Sequence, residues 1–173
     1  MSTKFFNNAP GNTLFDKLKG IASDMTTFDR FLAVVGFFRS SGYFKLRKEL
    51  GDISEIKILV GINIDDIFRK HNKALLMLAD EDKAKEIYHN GFKEDIVNAQ
   101  YSPEVEEGIL QMCEDLVSGR LQMRIHATKN LHAKFYLCLP QNHSENSDGW
   151  VIMGSSNISD SGLGIKQPPQ YEL

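Results

Sequence analysis

Cysteine is almost absent from this sequence. With only Cys113 and Cys138 in 173 residues, a disulfide scaffold is excluded, and so is a zinc site built on paired cysteines. Proline is also sparse, at five, and the 13 glycines follow no period, which removes collagen-like and Pro-rich architectures. No apolar run approaches the roughly 18 residues of a membrane span; Phe31 to Phe38 is among the longest. Met1 to Pro10 has no apolar core of the kind a secretion signal requires. Few cysteines and no such signal together predict a reducing, cytoplasmic setting. What is present is ordinary for a folded domain: 42% hydrophobic and 25% charged residues. A chain of this length buries roughly 70% of its unfolded surface, enough for one core, so a single domain over residues 1–173 is expected.

The net charge of −3 disfavours indiscriminate binding of polyanions, but the charge is unevenly distributed. From Leu116 to Ser144 the chain has no Asp or Glu, while Arg120, Arg124, Lys129, Lys134, His126, His132 and His143 fall in that stretch. A local anion site would produce this asymmetry.

Hydrophobic periodicity supplies the organisation. Leu14, Leu18, Ile21, Ala22 and Met25 predict an amphipathic helix, part of an N-terminal helical extension over 1–28. Phe31 to Phe38 reads as a buried strand, and Ser40 and Ser41 are positioned to cap a helix over Gly42 to Leu50. A second strand follows at Glu55 to Val60, and such a unit normally has a parallel crossover. Ile67, His71, Leu75 and Leu78 predict a helix, and Asn90-Gly91 a turn before a short one near Lys93 to Ala99. Ser102-Pro103 opens another, whose stripe runs from Val105 to Val117. Strands are expected at Leu121 to Ile125, Ala133 to Leu139 and Trp150 to Met153. The class is therefore α/β, a mixed β-sheet flanked by helices. Gln170 to Leu173 resumes like another strand, as expected for the N-terminal piece of a longer protein.

The densest chemistry lies in Leu131-His132-Ala133-Lys134, followed after a polar loop by Gly154-Ser155-Ser156-Asn157. In an extended strand His132 and Lys134 would share a face. An imidazole can serve as nucleophile or base, and an ammonium can neutralise a phosphate oxygen. Gly154 permits close backbone approach, and Ser155 and Asn157 offer short hydrogen-bonding groups. A tetrahedral phosphoryl group fits this set without a metal or other cofactor.

His132-x-Lys134 with Gly154-Ser155-x-Asn157 resembles the HKD motif of the phospholipase D superfamily. The strand bearing Phe37-Phe38, the Ser41-Gly42 helix start and Ile58-Leu59-Val60-Gly61 extend the likeness to the N-terminal phospholipase D-like nuclease domains attached to bacterial helicases. That resemblance implies a metal-independent phosphodiesterase acting through a phosphohistidine. His132 would be catalytic, Lys134, Gly154, Ser155 and Asn157 would hold phosphate, and Glu172 would match the acid that orients the histidine. Two histidines are needed and one motif is present. The expected unit is therefore a homodimer with the His132 side chains facing, or a parent chain with a second motif beyond Leu173. Nucleic acid is the expected partner, DNA ahead of RNA, with no membrane and with a helicase motor further along the parent chain. One residue departs from the pattern: Leu139 stands where the family usually has Asp. This departure supports an alternative, a degenerate domain that binds and positions DNA without cutting it.

Three other readings are weaker. His126, His132, Cys138 and His143 have the residue types of a zinc site but not its spacing. Glu55-Ile56-Lys57 has the Glu-x-Lys pattern of metal-dependent nucleases, which is common by chance. No phosphate-binding loop of the GxxxxGK[ST] type and no GxSxG elbow is present.

Overall fold

The computed structural model describes residues 5–24, 28–64, 102–126 and 131–165. Within them the elements run α1 (Leu14–Asp24), β1 (Phe28–Phe38), α2 (Ser40–Leu50), β2 (Glu55–Ile64), α3 (Pro103–Val117), β3 (Leu121–Ile125), β4 (Phe135–Pro140) and β5 (Trp150–Met153). The expected elements between Ile67 and Ala99, and the Gln170 to Leu173 segment, lie outside the described residues. None of the described helices is long and apolar enough to cross a membrane.

The five strands form one sheet in the order β3-β2-β1-β4-β5. β1 pairs parallel with β2, and β2 with β3, whereas β4 is antiparallel to both β1 and β5. The sheet is thus mixed, as the sequence predicts. β1, β2, β3 and β5 all end at the edge where β4 begins.

Alternation sorts the strand residues into faces. Phe31, Ala33 and Val35 of β1, Ile56, Ile58 and Val60 of β2, and Tyr136 and Cys138 of β4 are buried. They join Leu14, Leu18, Tyr43, Leu46, Ile109 and Met112 from the three helices in one core. At about 25 cal/mol per Å² of apolar surface, each such side chain contributes roughly 1.5–3 kcal/mol. α1 therefore belongs to the same core as the sheet.

Local signals explain the helix starts. Thr13 and Asp16 exchange hydrogen bonds at the head of α1, each side chain accepting from the other's backbone N–H. Ser102 caps α3 by accepting from the Val105 N–H, with Pro103 in the first turn. α2 begins differently from the expectation. Arg39 is the residue before its first turn and makes no side-chain cap, while Ser40 lies inside the helix and is buried. The chain is held extended as far as Arg39, whose N–H donates to the Ile158 carbonyl at 2.9 Å, so the helix starts at Ser40.

Candidate functional site

Four segments meet at the sheet edge where β1 and β2 end: Gly36-Phe37, Gly61, the approach to β4 at Leu131 to Lys134, and the loop after β5 from Gly154 to Ile165. Their closeness depends on missing side chains. A Cβ on Gly61 would stand 2.7 Å from the Gly36 carbonyl and 3.1 Å from that of Leu131. A Cβ on Gly36 would stand 3.1 Å from the Leu131 carbonyl, 3.5 Å from Lys134 Nζ and 3.6 Å from Asn157 Oδ1. The Lys134 ammonium and the Asn157 carboxamide oxygen therefore both lie close to Gly36, near the end of β1. Ligands of open α/β sheets bind beyond the carboxyl ends of the parallel strands, and this is that end of β1.

The approach to β4 is not the strand the sequence predicts. β4 begins at Phe135, and residues 131–134 are irregular. The reason is local. Lys134 Nζ donates to the His132 carbonyl at 2.7 Å, which takes that carbonyl out of any ladder. The shared strand face expected of His132 and Lys134 is thus replaced by a side-chain-to-backbone link within a bent segment. Lys134 is 5% exposed, on the buried side with Tyr136 and Cys138. His132 is exposed.

The loop after β5 is held from beneath and from the side. The Gly154 N–H donates to the Lys134 carbonyl at 3.3 Å, and Tyr136 Oη donates to the Ser156 carbonyl at 2.7 Å. Asn157, 6% exposed, accepts at Oδ1 from the Gly36 N–H at 3.1 Å and the Phe37 N–H at 2.9 Å. This pair of donors fixes the carbonyl end of the carboxamide. No acceptor for its Nδ2 is found among the described residues, so that end can donate to an added oxygen. Ser155 is exposed between Gly154 and the buried Ser156. A Cβ on Gly162 would stand 2.3 Å from the Asn157 carbonyl, so the loop folds tightly on itself.

Of the residues singled out in the sequence, Gly154 and Lys134 are joined by a backbone hydrogen bond, and Asn157 is bonded to Gly36 and Phe37 beside them. His132 joins it through its carbonyl, Ser155 sits on its rim, and Glu172 lies outside the described residues. The acid-free stretch is divided between the two ends of the sheet. Arg120, before β3, bonds Asp115 at 3.0 Å at the opposite end, whereas Arg124 and His126 lie toward the end of β3 where β2 also terminates. Leu139 is opposite Arg30. Four residues of strand, at about 3.4 Å each, separate it from Phe135 at the site.

The competing sites fare differently. Glu55 is ion-paired with Arg30 and Lys57 at the start of β2, and its carboxyl is held below the usual range by Lys57 and then Arg30, despite some burial. Cys138 is buried in the core, which pushes its thiol up to about 12. Its inward position leaves it facing Phe31 rather than the loop that carries His143.

Sequence reasoning missed Asn8. Its Nδ2 donates to Ser156 Oγ at 2.9 Å and to the Gly162 carbonyl at 3.0 Å, so it braces the loop that carries Asn157. The only local signal was an Asn-Asn pair before Pro10-Gly11, which reads as a turn. No family model and no curated protein matches this chain.

Proposed function

We propose that this domain is a metal-independent phosphodiesterase acting on nucleic acid, DNA ahead of RNA, as an accessory domain of a DNA helicase. One observation carries the reading: the buried Lys134 ammonium and the Asn157 carboxamide both approach Gly36, where the parallel strands end. A buried cation beside a fixed amide donor suits a phosphoryl oxygen.

In this reading His132 attacks phosphorus, a P–N bond forms and the P–O bond to the leaving group breaks. The leaving oxygen takes a proton from a second, protonated imidazole, the partner subunit's His132. Water then attacks the phosphohistidine, giving its proton to that imidazole, and His132 is released. Lys134 and Asn157 hold the non-bridging oxygens, with Ser155 at the rim. The exposure of His132 is compatible with a homodimer in which two imidazoles face one phosphate.

The alternative, a domain that binds and positions DNA without cutting it, rests on Leu139. Its separation from Gly36 weakens that argument, because the replaced residue does not border the groups proposed to hold phosphate. The test is cleavage of single- and double-stranded DNA in excess chelator. Wild-type protein cuts and His132→Ala does not, with at least a roughly hundredfold loss. Equal binding without cutting in both proteins would instead establish the positioning role.

A further inference from the structure

The extension before β1 contributes to the site. Asn8 is 1% exposed and has φ 58°, the only non-glycine among the described residues in the left-handed region. Asparagine tolerates that conformation better than most residues. Its carboxamide works in two directions: Oδ1 accepts from the Leu14 N–H at 2.8 Å, at the head of α1, while Nδ2 donates to Ser156 Oγ and the Gly162 carbonyl. The Ser156 and Gly162 contacts bracket Asn157. A second contact ties the same elements, the Phe15 N–H donating to the Leu163 carbonyl at 3.1 Å. Space around Asn8 is tight, since a Cβ on Gly164 would stand 3.1 Å from its Oδ1.

We infer that Asn8 is a positioning residue: by clamping the 156–162 loop it keeps the Asn157 carbonyl on the Gly36 and Phe37 N–H groups and so fixes the orientation of the Asn157 carboxamide. Only the catalytic consequence rests on the phosphodiesterase reading. The positional claim stands on hydrogen bonds alone.

Asn8→Asp separates the two directions. It keeps an acceptor for the head of α1, where a carboxylate is favoured by the helix dipole, and it places an oxygen against the Gly162 carbonyl. Ser156→Ala removes one acceptor and leaves Asn8 in place, providing a milder variant should the first fail to fold. Amide hydrogen exchange is followed on the full chain. Gly36 and Phe37 exchange roughly tenfold faster in Asn8→Asp and less so in Ser156→Ala, while the Ile58 amide of the inner strand keeps its wild-type rate. Hydrolysis of bis(p-nitrophenyl) phosphate is then affected mainly through KM, about tenfold, because the displaced amide binds phosphate throughout the reaction.

Unchanged exchange at Gly36 and Phe37 in the folded variants overturns the inference. Faster exchange at Ile58 as well overturns it too, showing general loosening instead. If wild-type protein does not hydrolyse the diester, the phosphodiesterase reading fails, and the exchange rates still decide the role of Asn8.

Discussion

The described polar contacts differ in kind at the two ends of the sheet. At the end where β3 begins, Asp115 is fully buried and meets Arg47 Nε at 2.7 Å, Arg120 at 3.0 Å and the Tyr43 hydroxyl at 3.0 Å. Burial alone would raise the Asp115 carboxyl, but the hydrogen bonds and charge of Arg47, with Tyr43 and Arg120, take it below its ordinary value. Burial, and after it the same carboxylate, pushes the Tyr43 phenol far above its usual range. At the other end, the described contacts of Lys134 and Asn157 are with main-chain groups, around positions where glycines supply the space. The first cluster ties α2 to α3. The second has a donor without an acceptor among the described residues and rests on backbone shape. The first is built from side chains of opposite charge, whereas the described contacts of the second join side chains to main chain.

The largest test breaks the first cluster. Asp115→Asn leaves the Arg47 guanidinium buried without its counter-charge and lowers unfolding free energy by about 3–5 kcal/mol, measured by urea denaturation. A loss under about 1 kcal/mol would show that the cluster does not carry the α2–α3 contact. The pH dependence follows from the depressed carboxyl. Its stabilisation is complete above the unfolded value of about 3.9 and is lost as pH falls through the lower folded value, so the variant lacks that acid-labile component.

Next comes the backbone crossing. Gly61→Ala puts a methyl against the Gly36 carbonyl and forces the strands or the approach to β4 to shift. It destabilises by about 1–3 kcal/mol and, in the proposed reading, weakens phosphate binding at the same time. Retention of both would show the crossing to be looser than its distances imply.

The smallest effect on stability sharpens the comparison most. Lys134→Met lowers unfolding free energy by about 1 kcal/mol through loss of the bond from Nζ to the His132 carbonyl. In the proposed reading, inorganic phosphate raises the thermal unfolding temperature of the wild type and not that of this variant. A loss as large as that of Asp115→Asn would place Lys134 among the fold-stabilising charges and contradict the contrast.

Much of this was legible in the sequence because it is local. The β1-α2-β2 unit follows from two apolar runs around a helix ended by Gly51, and α3 follows from Ser102-Pro103 and a regular stripe. The start of β4 was not legible, because the Lys134 side chain takes the His132 carbonyl, and periodicity does not register side-chain competition for backbone groups. The cap of α2 was misplaced for a related reason: Arg39 is held extended by Ile158, far along the chain. At the site, residue types in two short motifs pointed to Lys134, Gly154 and Asn157. Asn8 stayed hidden because its partners Ser156 and Gly162 lie 148 and 154 positions away.

That separation has a consequence for synthesis. The clamp cannot close until residue 162 has left the ribosome, whereas β1, α2 and β2 can pair much earlier. A nascent chain can thus hold most of its sheet while the Asn157 loop is still unanchored, and the geometry proposed to bind phosphate is among the last features of the domain to form.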